Sequence, residues 1–290
     1  MTPCSILAAG LLLLTFDDAG YKGWLKHLPL FERYGAHATF FAYGEFGTNE
    51  IAHLKTIAAA GHTIGLHTVH HRRADTAFGK DGGAAFWRNE VLPELEAARK
   101  AGLEIRNLAY PYNSHTPETD AFLAGKGFER FRAGVRDLAG YPTNGTSIVS
   151  VDRAFFPVAD LPKHRVIEGV SIHRGTDIDD ICRGIRRAAE RDEVFELYSH
   201  DISASPSRNG MRTEWLKKIL ATARECDIPV RGFGELGPVD GGWLTRKTVP
   251  SASSPTGAGR SVDCYHACRR DADGTVIATM HPQQCDIIKR

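Results

Sequence analysis

The sequence predicts an α/β protein built on parallel strands, with roughly six to eight β/α units, the number a closed barrel requires. Three observations point there. Strand-like and helix-like stretches alternate through residues 1–240. Glycines at 61 and 102 close helical stretches just before the next apolar run. The first apolar run, Leu11-Leu12-Leu13-Leu14-Thr15-Phe16, ends abruptly in Asp17-Asp18, at the strand end where α/β folds place ligands and catalysis.

Taken in order, that apolar run is the first strand. Neighbouring strand side chains point to opposite faces, so both carboxylates serve one site only if the chain is already turning, and Ala19-Gly20 supplies a turn. Gly23 to Tyr34 reads as an amphipathic helix interrupted near Pro29, followed by the strand Ala38-Thr39-Phe40-Phe41-Ala42. Glu50 to Ala60 reads as a helix and His62-Thr63-Ile64-Gly65-Leu66 as a strand. Phe86 to Ala101 is helical, Ile105 to Tyr110 a strand, Thr119 to Gly125 a short helix and Phe128 to Ala133 a strand. The last repeats are a helix over Asp177 to Arg191, a strand over Glu193 to Ser199, a helix over Thr213 to Cys226, and Val230-Arg231-Gly232-Phe233.

Beyond Pro238 the character changes. Ser, Thr, Gly and Pro fill Thr248 to Ser261 as a linker, so the main domain is expected over 1–240 and a linker with a small Cys-containing extension over 241–290. Within the extension, a hairpin is expected about Asp271-Ala272-Asp273-Gly274. The hydrophobic share of 42% and charged share of 24% suit a globular chain with a sizeable core. A formal net charge of +1 gives no electrostatic case for nucleic acid or an anionic membrane as partner. The apolar run Ile6 to Leu14 is too short to span a bilayer and has no Lys or Arg before it, so it reads as structure rather than signal peptide; a leader removed upstream is the alternative. The six Cys leave the compartment open.

A second chemical cluster, His67-Thr68-Val69-His70-His71, follows a predicted strand. On a helical turn His67 and His71 share a face, and His67 with His70 also fits one ion. Two imidazoles and a carboxylate leave a Zn²⁺ ion an open position for water, the pattern of a catalytic site. Alone, the cluster reads equally well as solvated loop residues; the Asp pair shifts the reading toward a metal.

Four motifs in order, Thr15-Phe16-Asp17-Asp18, His67-Thr68-x-x-His71, Tyr110-Pro111-Tyr112 and Leu197-Tyr198-Ser199-His200-Asp201, resemble those of the NodB-type polysaccharide deacetylases, the carbohydrate esterase family 4 domain. Ala38 to Phe41 and Gly61 to Gly65 resemble the supporting context, and the likeness extends over residues 11–236. The resemblance implies an irregular (β/α) barrel of about seven strands, to which the composition past Pro238 adds a short C-terminal extension. It also implies a hydrolase that removes N-acetyl or O-acetyl groups from a carbohydrate, with one divalent metal, Zn²⁺ first and Co²⁺ or Ni²⁺ as alternatives. Asp18, His67 and His71 match the metal ligands and Asp17 the general base for metal-bound water. Tyr112 matches the backbone N–H donor to the oxyanion and His200 the general acid, while Tyr110 and Pro111 fall in the substrate groove, with core or rim packing as the competing reading of the tyrosines. Trp24, Trp87 and Trp215 read as packing residues.

The chain also departs from the family pattern. Ala109 and Tyr110 stand where the family has an Arg before Pro-Tyr that braces the base, leaving Arg132, Arg136, Arg153 and Arg174 as candidate replacements. No Trp lies between Asn113 and Ser199 to wall an acetyl pocket, and Asn113 replaces a Gly. A non-sugar amide hydrolase on the same fold and metal, and a binding protein without turnover, are therefore the competing functions. In the tail, Cys264, Cys268, His281 and Cys285 approach zinc-site spacing, with a disulfide or free thiols as the stronger reading. Oligomeric state is left open.

Overall fold

Strand β1 (Leu11–Asp18) pairs in parallel with β2 (Thr39–Ala42), which continues through β3 (Thr63–Leu66), β4 (Asn107–Ala109) and β5 (Arg130–Gly134). A short strand β6 (Phe155–Pro157) intervenes in the chain before β7 (Val166–Ser171), which pairs with β5, and β8 (Glu193–Ser199), which pairs with β7. β8 then pairs with β1 from Leu11↔Val194 to Phe16↔Ser199, so seven parallel strands close into a (β/α) barrel. β6 lies antiparallel on β8, outside the ring. The computed structural model describes residues 10–135 and 145–240, together with two short strands near the C-terminus.

The barrel is covered by α1 (Tyr21–Tyr34), α2 (Thr48–Ala59), α3 (Ala74–Asp81), α4 (Gly83–Phe86), α5 (Leu92–Lys100), α6 (Pro117–Gly125), α7 (Ile178–Arg191) and, after the short pair β9 (Ile202–Ser203) and β10 (Met211–Arg212), by α8 (Thr213–Glu225). α1 runs unbroken through Pro29, contrary to the expected interruption; its face Tyr21, Trp24, His27 and Phe31 is buried and holds the helix across the missing N–H. A π-helical turn, Trp87–Val91, joins α4 to α5 where one continuous helix was expected. β7 and α3 were not anticipated: Val166–Ser171 carries Glu168 and Gly169 within it, and Ala74–Asp81 is rich in Asp, Gly and Lys, so neither shows a clean period.

Alternation along the strands builds two cores. Outward side chains such as Leu12, Leu14, Phe16 and Phe40 meet the helices, while Leu11, Leu13, Phe41, Ile167 and Val194 fill the barrel with Phe233 and Leu236. Gly65 makes room for Phe41, since a Cβ there would lie 2.3 Å from the ring. The expected last strand shrinks to β11 (Val230–Arg231), which lies beside the first residues of β1 outside the closed ring. Phe233 and Gly234 then donate their N–H groups to Thr39 Oγ1 (2.8 Å) and Thr63 Oγ1 (3.0 Å), fixing the segment that plugs the barrel floor.

The chain divides into two units, Met1–Thr245 and Arg246–Arg290. In the second, β12 (Cys268–Arg270) pairs antiparallel with β13 (Val276–Ala278), flanking the turn expected at 271–274. Cys4, Cys264, His281 and Cys285 and the side chain of Cys268 lie outside the described residues, as do Ile6 to Ala9 and Arg136. No described helix is long and apolar enough to cross a membrane.

Candidate metal and catalytic site

The first four motifs meet at the C-terminal mouth of the barrel. β1 stays in register with β2 through Asp17↔Phe41 and Asp18↔Ala42, so the strand continues through both carboxylates and the expected turn begins at Ala19. Asp18 itself adopts φ +77°, which breaks the strand alternation and brings both carboxylates to one site. Among the described residues seven non-glycines have positive φ, and five of them, Asp18, Thr68, His71, Tyr112 and Asn113, belong to the site motifs. Left-handed backbone at such residues is strain that the surrounding fold must hold, and it concentrates at functional sites.

Asp18, His67 and His71 form the one group among the described residues whose donor atoms could share a metal ion, all lying within 4.8 Å of one another. Asp18 Oδ1 is 3.6 Å from His67 Nε2 and 3.4 Å from His71 Nε2, and the two Nε2 atoms are 3.2 Å apart. His67 to His71 is a turn rather than a helix, and it selects His71 over His70, whose ring faces Glu90 at 3.3 Å and is 59% exposed. His67 Nδ1 donates to the Ala109 carbonyl (2.9 Å), which leaves Nε2 with a lone pair toward Asp18. Burial pushes His67 down to about 4, with Arg132 adding to the effect, so its ring is neutral at pH 7. Asp18 Oδ1 is buried without a hydrogen-bond donor. The His67 and His71 ring nitrogens and an orphaned carboxylate oxygen fit a divalent cation of the Zn²⁺ type.

Asp17, 2% exposed, points into the barrel beside this group. Burial alone raises its carboxyl, but Arg132, His67 and His200 together hold it below the usual carboxylate range. Arg132 is the bracing arginine: its Nη2 donates to Asp17 Oδ2, its Nη1 to Asn113 Oδ1 (2.5 Å), and its guanidinium stacks on the Tyr198 ring at 4.3 Å. β1 and β5 are not neighbours in the ring, so this contact spans the barrel interior. Across the mouth, His200 Nε2 is 3.8 Å from Asp18 Oδ2, while its Nδ1 donates to the Asn209 carbonyl (3.0 Å). Trp24 Nε1 donates to the His200 carbonyl (2.9 Å), which anchors this loop to α1.

The third motif divides. Tyr112 is 63% exposed, and its ring lies 4.8 Å from His71. Tyr110 is fully buried, donates its hydroxyl to Asp120 Oδ1 (2.6 Å) and stacks on His115, and Pro111 is buried too. Their expected place in the substrate groove is therefore corrected: strand alternation sends Tyr110 outward, under α6, and leaves Tyr112 as the residue of this motif at the surface.

Residues 7–131 match the family model for polysaccharide deacetylases. That stretch runs from near the start of the chain into β5 and includes Asp17, Asp18, His67, His71 and Tyr112. The fold is shared with the Xyl-CE4 domain of a multidomain xylanase from the hindgut metagenome of Trinervitermes trinervoides, at 17% identity and a TM-score of 0.51 over 79% of this chain and 93% of that one. A CE4 family pseudoenzyme from Bacillus anthracis has a similar likeness, 16% identity and a TM-score of 0.52 over 78% of this chain and 65% of that one. A short stretch is also 36% identical to imidazole glycerol phosphate synthase subunit HisF of Maricaulis maris, over 88 residues. The chain spans 33% of the length of that relative.

Two supports, Glu196 and Glu90, escaped the sequence reading, and a third was left open among four residues. Arg132 was one of four candidates; the signal that singles it out is the pair Arg130 and Arg132 on one face of a strand, which alternation sends into the barrel. Glu196, 1% exposed in the middle of β8, accepts from Thr15 Oγ1 (2.7 Å) beneath Arg132, and burial pushes its carboxyl up to about 8. Glu90, buried on the π-helical turn, receives the His70 N–H on Oε2 (3.1 Å) and the Val69 N–H on its carbonyl (3.0 Å), shaping the His67 to His71 loop.

Proposed function

We propose that this chain is a metal-dependent hydrolase that removes acetyl groups, N- or O-linked, from a carbohydrate. The observation that carries the reading is the ionised Asp17 held by Arg132 beside the Asp18, His67 and His71 donors, with His200 across the same mouth. A fold shared with a pseudoenzyme brings no activity by itself, so the reading rests on these side chains.

Asp18, His67 and His71 would hold the metal. When bound, a divalent ion there acidifies water and polarises the acyl carbonyl. Asp17 is acceptor-only in its ionised form and serves as general base for the attacking water, with Arg132 fixing Oδ2 and leaving Oδ1, which has no partner, for the proton. The Tyr112 N–H, on a backbone turned to φ +57°, supplies a fixed donor for the oxyanion. An amine or alkoxide leaves poorly unless protonated, and His200 delivers that proton from Nε2 while Nδ1 stays on the Asn209 carbonyl.

Asp17→Asn should retain stoichiometric metal and lose turnover by more than about a thousandfold, whereas His67→Ala should lose both metal and turnover. Full activity in Asp17→Asn would remove the base from this scheme. Metal analysis alongside acetate release from acetylated xylan and N-acetylglucosamine oligomers reads both outcomes.

A further inference from the structure

A second cavity opens at the same end of the barrel, and its chemistry is unlike that of the metal site. It has a volume of about 410 Å³ and is lined by Arg174, Arg208, Arg212 and Trp215 with the loop Ala204 to Ser207, and no carboxylate lines it. The loops that build it follow β7 and β8, and the Arg174 N–H donates to the Arg208 carbonyl (2.8 Å), tying the two together. Asp201 organises the rest by accepting from the Ser207 N–H (3.2 Å) and hydroxyl (2.6 Å). Arg212 lies over the Trp215 ring at 5.1 Å and stands at the N-terminus of α8, a 13-residue helix with no side-chain cap. Among the described residues, none of the three guanidinium groups meets a carboxylate within ion-pair distance, although the chain as a whole is close to neutral.

We propose that this cavity is an anion subsite that receives a carboxylate or phosphate group carried by the saccharide substrate. Three arginines on the wall of one cavity offer forked donors that match either group, and the open end of α8 adds its partial positive charge. The cavity is linked to the candidate acid through one residue. Asn209, between the lining residues Arg208 and Gly210, holds His200 Nδ1 through its carbonyl, so an anion seated on Arg208 is one residue from the group that orients the acid. A neutral acetylated sugar would leave the subsite empty; an acidic or phosphorylated glycan would be anchored there, with its acetyl group presented to Asp17 and His200. This assignment of substrate class rests on the deacetylase reading above, while the binding it predicts can be measured without turnover.

The test is calorimetric titration of the full chain with inorganic phosphate and, separately, with glucuronate, at low ionic strength, for the wild type, Arg174→Gln/Arg208→Gln and His67→Ala. The wild type should bind at least one of the two probes, and whichever binds more tightly identifies phosphate or carboxylate. The double-arginine variant should bind it at least about tenfold more weakly, and His67→Ala should bind it unchanged. No binding of either probe, equal binding by the double-arginine variant, or loss of binding in His67→Ala, which would place the anion at the metal donors, would each overturn the proposal. On acetylated oligosaccharides bearing uronate or phosphate, the double-arginine variant should raise KM with kcat unchanged, and on neutral ones it should change neither. If no acetate is released from any substrate while anion binding behaves as expected, the deacetylase reading falls and the subsite stands.

Discussion

Gly169→Ala probes the polar column inside the barrel. A Cβ at Gly169 would lie 1.1 Å from Glu196 Oε2 and 2.4 Å from its Cδ, and Gly169 has no unusual backbone, so the clash with Glu196 is the whole effect. Reaching ordinary contact requires the carboxyl to move by roughly 2 Å. Glu196 is 1% exposed, so it has no path to solvent, and the move breaks its 2.7 Å bond from Thr15 and disturbs its approach to Arg132. Overpacking and the lost buried hydrogen bond together should cost about 2–4 kcal/mol. Glu196→Ala alone should cost about 2–4 kcal/mol through the cavity and the stranded Thr15 donor. In the double variant the new methyl group occupies space the carboxyl has vacated. Urea unfolding of all four proteins should therefore show the double variant at least about 1.5 kcal/mol better than the sum of the singles. Additivity within about 0.5 kcal/mol would refute the packing argument.

Three other outcomes follow from the same contacts. Arg132→Met leaves Asp17 buried and unpaired and should destabilise the fold by about 3–5 kcal/mol, with acetate release falling more than about a hundredfold and Arg132→Lys only partly restoring it. Tyr110→Phe should lose about 1–2 kcal/mol from the Asp120 bond in urea unfolding but leave KM within about twofold, since the ring is buried away from the mouth. His62 accepts the Ala38 N–H on Nδ1, and burial, with His37 adding, holds it at about 4 instead of its ordinary 6.5. Between those values the unfolded chain binds a proton that the folded one refuses, so stability should fall by about 2–3 kcal/mol as pH drops through that window, and His62→Asn should flatten that slope in pH-dependent urea unfolding.

The order of motifs was legible because each carries its chemistry locally: an apolar strand that ends in Asp17-Asp18, a histidine cluster after β3, and His200 after β8. Strand and helix periods likewise placed most elements within a few residues. What was not legible depends on the third dimension. Arg132 lies 115 residues from Asp17, and only closure of the barrel makes them partners. The positive φ at Asp18 has no sequence signature beyond the tolerance of Asp for that region, so the way both carboxylates reach one site while still in the strand was not legible. Tyr110 and Tyr112 stand two apart in one motif, yet the fold buries the first and leaves the second at the surface. β7 was missed because Gly169 and Glu168 read as loop residues; Gly169 is there to admit Glu196.

The central claim is that Asp18, His67 and His71 hold a divalent ion on which deacetylation depends. Acetate release from a panel of neutral and acidic acetylated oligosaccharides, measured before chelation, after chelation and after Zn²⁺ or Co²⁺ is restored, tests it most directly. Release that stops on chelation, returns with metal and never appears in His67→Ala is the predicted result. Release that persists in the chelated protein, or none from any substrate by protein carrying stoichiometric metal, would contradict it.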